Sequence, residues 1–474
     1  MMDRLIASLT IYLPTTPYVF VYMLQQVENN GKEFMGWINR MPDYRRVMHR
    51  KKLVRTKKVL IQLLVAYGIW CAAIAAIVLF IMKDLYLVST SIFVCTPILI
   101  AYALTSMSKI GSSLLIVKRR KDYAAATEKL RAHKAVKIVV LGSYGKTSAK
   151  ELLATILGSG KNVAATPGNM NVPISHARWI NTKLTGDEDV LIFELGEGDP
   201  GDIKRFCELL IPDIAVVTGV APNHLDHYGS IEVLKADLVS VEDYVKPQNL
   251  YEAEQAAKEL AFKHKPHVYG ITGTGDIALK NIHVSLTGTS FDLIHSGTKT
   301  NMHTRLIGEH NAPVIALCYR LGLSLDISPK DLETGVSQTM PFEHRMQARE
   351  VSGAWLIDDT YNGNLEGIRA GLELLRKVEA KRKMYVTPGL VEQGEETEKV
   401  HTEIGHLIAV CNPDVVVLMK NSVSDIMKTA IEAKGYKGII RIEDDPLSFY
   451  TNIQYELAGG DVVLMQNDWT DNYV

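Results

Sequence analysis

Two uncharged stretches set the first limit on this chain: "VLIQLLVAYGIWCAAIAAIVLFIM" (residues 59–82) and "LYLVSTSIFVCTPILIAYALTSM" (residues 85–107), parted only by Lys83 and Asp84. A helix needs about 20 apolar residues to cross a bilayer, and soluble helices seldom run that far without charge. The pair therefore predicts a membrane hairpin. A third stretch, "LIASLTIYLPTTPYVFVYMLQQ" (5–26), carries Pro14 and Pro17, which membrane helices tolerate. It lacks a small-residue cleavage site, so it reads as a third span rather than a signal peptide. Basic segments at 40–58 and 118–121 flank these runs, and the bias of Lys and Arg towards the cytoplasmic side places both inside. The expectation is a multi-pass protein of the cytoplasmic (inner) membrane. It has a membrane region at 1–107, a basic juxtamembrane helix or linker at 108–135, and catalytic domains in the cytoplasm.

From residue 136 the pattern changes. Short β-branched runs, "VKIVVL" (136–141), "DVLIFELG" (189–196), "PDIAVVTGV" (212–220), "GAWLIDD" (353–359), "KMYVTPG" (383–389), "PDVVVLM" (413–419) and "GDVVLMQND" (460–468), alternate with helical stretches. That alternation predicts an α/β architecture with largely parallel sheets. The stretch 276–295 reads instead as antiparallel strands that close a central domain at 136–305, leaving a C-terminal domain at 306–474. A net charge of -1 argues against a nucleic-acid partner held by a globally basic surface. The five cysteines, Cys71, Cys95, Cys207, Cys318 and Cys411, contain no CxxC pair, which disfavours a disulfide framework and a structural zinc site.

The chemistry begins at "GSYGKTS" (142–148), a glycine turn between a strand and a helix. It lacks the first Walker glycine, since Val140 stands there, yet it still offers backbone N–H groups at a helix N-terminus, an anion site. Lys146 adds a mobile positive charge, and the Thr147 hydroxyl can bind magnesium. Glu194 ends the next strand, and "PNHLDHYGS" (222–230) puts His224 after the one following, where open α/β sheets bind ligands. Two such residues beside a phosphate turn read as metal ligands.

Taken in order, "GSYGKTS", "TPGNMNVPIS", "ELGEGDPGDI", "PNHLDHYGS", "GEHN", "HRM" and "DDTYNGN" resemble the Mur ligase family, from residue 136 to the C-terminus. The likeness is nearest to its members that join D-alanyl-D-alanine to a muramyl tripeptide. The resemblance implies a P-loop central domain, a Rossmann-like C-terminal domain, ATP and Mg2+. The implied reaction is amide-bond formation through an acyl phosphate in peptidoglycan precursor synthesis. Gly142, Ser143, Tyr144, Gly145, Lys146, Thr147, Ser148, Asn311, Arg345 and Asp359 are then expected at ATP, and Thr147, Glu194 and His224 at metal. Asn169, Asn171, Asn362 and Asn364 are expected at the substrates, with Lys146, His224 and Arg345 catalytic. The family's carbamylated lysine falls here on Leu238, and Lys235, on nearly the same helical face, is the expected substitute. Apolar spans occupy the place of the family's uridine-nucleotide domain, so the acceptor is expected to be UDP- or lipid-linked. The alternatives are another ligase or amidating synthetase on a lipid-linked precursor, and a silent ATP-binding scaffold on the membrane.

Overall fold

The computed structural model describes residues 16–26, 56–168, 170–221, 225–361, 363–390, 393 and 396–467. The chain divides into two compact units, Met1–Lys121 and Asp122–Val474.

In the first unit, helices α1 (Thr16–Gln26), α2 (Lys57–Ile81) and the leading part of α3 (Tyr86–Ala132) gather an apolar cluster around Phe20, Leu24, Ala66, Trp70, Ile100 and Leu104. Among the described residues two helical segments, Lys57–Ile81 and Tyr86–Met107, are long and apolar enough to cross a membrane by length and composition. The expected third span is not among them. The described part of 5–26 is the 11-residue helix α1. Residues 5–15 lie outside the described residues.

The second unit is built on two sheets. The first holds β1 (Val136–Leu141), β2 (Val163–Ala165), β3 (Val190–Glu194), β4 (Ile214–Val217), β5 (Leu250–Ala253), β6 (His267–Gly270), β7 (Gly273–Thr274), β8 (Ile277–Ser285), β9 (Gly288–His295) and β10 (Thr298–Thr304). Their order is β10-β9-β8-β7-β6-β5-β4-β1-β3-β2. From β2 to β6 the pairing is parallel, and β6 to β10 is an antiparallel extension. Along β1 the side chains alternate between two cores: Ile138 and Val140 pack on one face, Val139 and Leu141 on the other. This is the continuous apolar run of a parallel strand covered on both sides. Helix α4 (Lys146–Leu157) covers the first face through Ala149, Leu152, Leu153 and Ile156. Helices α5 (Pro173–Lys183), α6 (Asp202–Leu210) and α7 (Ile231–Val239) cover the second. Helix α8 (Asn311–Ser324) returns to the first face.

The second sheet holds β11 (Gln347–Val351), β12 (Ala354–Asp359), β13 (Arg382–Thr387), β14 (Val415–Met419), β15 (Ile439–Glu443) and β16 (Asp461–Gln466), in the order β11-β12-β16-β13-β14-β15. All its neighbours pair parallel except β11 with β12. Helices α9 (Leu365–Lys377) and α10 (Thr397–Cys411) pack on one face, around Ile357, Tyr385 and Leu464.

Candidate functional site

Val140 is a fully buried strand residue, paired with Glu194 on one side and Val216 on the other. The turn therefore starts only at Gly142, and two glycines make it possible. Gly142 has φ +130°, and a Cβ there would stand 2.4 Å from the Thr218 hydroxyl and 2.9 Å from the Gly219 carbonyl. Gly145 caps α4 at φ +79°, in the left-handed region that favours glycine. The turn is stapled to the exit of β4. Ser143 N donates to Gly219 O at 2.7 Å, the Thr218 hydroxyl donates to Tyr144 O at 2.5 Å, and the Tyr144 ring lies against Gly219, where a Cβ would collide with it. Burial raises the Tyr144 phenol to about 12, with help from Glu366 and Glu259.

Helix α4 opens with Lys146 and Thr147. The Thr147 hydroxyl donates to Glu194 Oε1 at 2.8 Å. Lys146 donates to the Gly142 carbonyl and pairs with Glu197 at 3.3 Å. One turn further on, Lys150 is wholly buried, and its ammonium reaches Glu194 Oε2 at 3.4 Å, Glu151 at 3.1 Å and the Gly168 carbonyl. Glu194 therefore splits its oxygens between Thr147 and Lys150. Burial pushes Glu197 above the ordinary carboxylate range, while Lys146 pulls it back.

The turn at 166–171 is tied to the same strand end. Glu194 N donates to the Thr166 hydroxyl at 3.3 Å, and His176 Nε2 bonds Met170 O at 2.9 Å. Burial lowers His176 to about 4, so it is neutral and can donate from Nε2. Gly196 lets the β3 exit pass Asn171; a Cβ at 196 would stand 2.2 Å from the Asn171 carbonyl.

From the second sheet, the "HRM" turn holds His344 and Met346 at positive φ on either side of Arg345. His344 Nδ1 bonds Asp358 at 2.9 Å, Met346 N donates to Asp359 at 3.1 Å, and the Arg345 guanidinium lies 4.6 Å from the centre of the Tyr361 ring. Asp359 ends β12 and accepts from Gln466 Nε2 at 2.8 Å. Burial raises it to about 6 against the pull of that hydrogen bond. Asn364 caps α9, its oxygen accepting from Gly367 N at 2.9 Å. Asn311 starts α8 and donates to Ile307 O and Gly308 O at 3.0 and 3.3 Å. Glu309 pairs with Lys377 of α9 at 3.2 Å. Burial lowers His310 beside them.

These groups converge on a cavity of about 1120 Å3. Ser143, Tyr144, Gly145, Lys146, Thr147, Ser148, Asn171, Glu194, Asn311, Arg345, Asp359 and Asn364 all line it. Gly142 shapes the turn from behind. His224, Asn169 and Asn362 lie outside the described residues. Lys235 does not join the others: its ammonium is paired with Glu259 at 2.7 Å, and it is not in the cavity wall. Leu238 is fully buried in the core beneath. Sequence reasoning passed over Lys150 and Glu197. Each carried one signal, since Lys150 falls one helical turn after Lys146 and Glu197 three residues after Glu194.

The Thr147–Glu194 pair is a set of hard oxygen donors beside a helix N-terminus. That donor chemistry fits Mg2+, which takes one or two carboxylates together with phosphate oxygens and water. Among the described residues no group of three or more His, Cys, Asp or Glu is placed to hold a metal alone.

Comparison with known proteins matches residues 140–318 to the Mur ligase middle domain and residues 344–466 to the Mur ligase glutamate ligase domain. The UDP-N-acetylmuramoyl-tripeptide–D-alanyl-D-alanine ligase of Bacillus subtilis (strain 168) is 27% identical over 59% of this chain and 61% of its own. That of Haemophilus influenzae is 27% identical over 63% of this chain and 66% of its own. The chain thus spans less than two thirds of the length of these curated relatives. Among solved structures, the MurF ligase of Thermotoga maritima in complex with ADP superposes with a TM-score of 0.64 at 24% identity, over 74% of this chain and 80% of that one. A MurF of Acinetobacter baumannii gives 0.64 at 20% identity, over 74% and 77%. This is a likeness of fold, and it matches the mixed α/β central and C-terminal domains. The expected multi-pass inner-membrane localisation is corrected by the same findings. The relatives are named for a nucleotide-linked substrate, and the two apolar helices among the described residues are weak grounds for a multi-pass protein.

Proposed function

The chain belongs to the Mur ligase family, and from that premise we propose that it is an ATP-dependent ligase forming an amide bond between a muramyl tripeptide and D-alanyl-D-alanine. The observation that carries this reading is the convergence of the phosphate turn, the Thr147–Glu194 pair and Arg345 on one cavity. Nucleotide phosphates would lie on the N–H groups of the turn at the start of α4, with Lys146 moving from Glu197 to the β- and γ-phosphates. Thr147 and Glu194 would hold Mg2+, which supplies charge neutralisation at the γ-phosphate. Asn311 would meet the adenine, Asp359 the ribose, and Arg345 the transferring phosphoryl group. Asn171 and Asn364, both in the cavity wall, would meet the peptide and the incoming amine.

The chemistry needs positioning and charge more than a protein nucleophile. The acceptor carboxylate attacks the γ-phosphorus and ADP leaves, giving an acyl phosphate. The amine then attacks the acyl carbon, and phosphate departs with the former carboxylate oxygen. Because Arg345 and Asp359 come from the second sheet and Lys146 and Thr147 from the first, closure of the two around the nucleotide would complete the site.

The test is phosphate release by the purified chain given ATP, D-Ala-D-Ala and UDP-linked muramyl tripeptide. Release only when all three are present supports the reading. Release with ammonia or glutamine in place of the dipeptide makes the chain an amidating enzyme, and nucleotide binding without turnover makes it a scaffold. A parallel arm with undecaprenyl-linked tripeptide decides the form of the acceptor.

A further inference from the structure

Helix α4 presents two lysines one turn apart, and each faces a carboxylate at the exit of β3: Lys146 with Glu197 at 3.3 Å and Lys150 with Glu194 at 3.4 Å. Glu151 also reaches Lys150, at 3.1 Å, and the side chains of Lys146, Glu197, Lys150 and Glu194 are all largely buried. Side-chain exposure is 12% for Lys146 and 2% for Glu197. The two pairs differ in what can happen to them. Lys150 has no exposure, and Glu194, Glu151 and the Gly168 carbonyl surround its ammonium. Lys146 lines the cavity and is the group that would leave its partner for a phosphate.

When it leaves, Glu197 is in an untenable position. Its carboxylate is buried in the wall of the same cavity, its ammonium partner is gone, and several phosphate charges have arrived. A buried charge without a counterion is strongly unfavourable. The remedy that suits the place is a second cation, because carboxylate and phosphate oxygens together are the donor set Mg2+ takes.

We propose that Glu197 serves two cations in turn, Lys146 when the cavity is empty and a divalent metal ion when nucleotide is bound. This makes Glu197 a metal-binding residue additional to Thr147 and Glu194, and makes phosphate binding conditional on metal. The proposal rests on the nucleotide-binding part of the reading above, not on the identity of the acceptor or the amine.

The experiment is calorimetric titration of the full chain with ADP, once with Mg2+ and once with EDTA. Removing one buried charge beside the phosphates is worth about tenfold in affinity. Glu197→Gln is therefore expected to bind ADP about tenfold more tightly than the wild type in EDTA, and to lose about tenfold of the Mg2+-to-EDTA affinity ratio. Glu197→Asp, which keeps the charge, is expected to retain the wild-type ratio. Glu197→Ala carries the test if the glutamine variant does not fold. A charge-free variant with the wild-type ratio overturns the proposal. A wild-type chain that binds no ADP under either condition overturns instead the nucleotide reading beneath it.

Discussion

Lys150→Met removes one member of a buried pair and leaves the other in place. The ammonium of Lys150 has no exposure, and the Glu194 carboxylate it meets at 3.4 Å is 3% exposed. Deleting one partner of such a pair costs about 3–5 kcal/mol, because the remaining charge is stranded. Glu194 keeps the hydrogen bond from Thr147 at 2.8 Å, so the lower end applies: about 3 kcal/mol, or roughly a hundredfold in the folding equilibrium. Methionine nearly matches the lysine stem, so the packing contribution is small. The assay is urea unfolding of the full chain followed by intrinsic fluorescence. Trp179, packed edge-on against Phe193 with ring centres 5.9 Å apart, reports on this domain. The double variant Lys150→Met, Glu194→Gln removes both charges and is expected to recover at least half of the loss. A single-variant cost below about 1 kcal/mol, or a double variant as unstable as the sum of the singles, refutes the reasoning.

Other outcomes follow from the same contacts. His176 is held near 4 by burial, below its ordinary value of 6.5, so the unfolded chain takes up a proton more readily. Its stabilising contribution is full above about pH 6.5 and is lost as pH falls towards 4, by about 3 kcal/mol; His176→Phe should flatten the urea midpoint across that window. Asp359 runs the other way. Its folded value is raised from 3.8 to about 6, so its contribution is fullest below the unfolded value and is lost as pH rises through about 6; Asp359→Asn should abolish that slope in the same titration. Gly196→Ala drives a methyl group into the Asn171 carbonyl, with 2.2 Å between them. It should raise the acceptor KM by a larger factor than it weakens ADP binding in calorimetry. Asn364→Ala removes the cap of α9 and should cost about 1 kcal/mol in urea unfolding.

How much of this was legible in the sequence depended on how locally each feature is determined. The glycine turn was legible because glycine backbone geometry and a following helix are local facts, and the question raised by Val140 dissolves once β1 is seen to run through it. Thr147 and Glu194 could be placed together because a strand end beside a helix start is a rule of parallel α/β sheets. Lys150 and Glu197 were not legible, since a charged residue on a helix or loop reads as solvated until its distant partner is known. The lysine's burial is decided by β3, far along the chain. Lys235 marks the limit of helical spacing in another way: spacing put it near the face of Leu238, but could not show its pairing with Glu259 at 2.7 Å. At the front of the chain, apolar length and composition pick out the same two long helices among the described residues, Lys57–Ile81 and Tyr86–Met107.

The most direct test of the central claim follows one oxygen atom. Muramyl tripeptide carrying 18O in its terminal carboxylate is turned over with ATP and D-Ala-D-Ala, and the released phosphate is analysed by mass spectrometry. Attack of that carboxylate on the γ-phosphate transfers one labelled oxygen to each phosphate formed. Unlabelled phosphate would mean that water, not the peptide, takes the phosphoryl group, and would contradict the account.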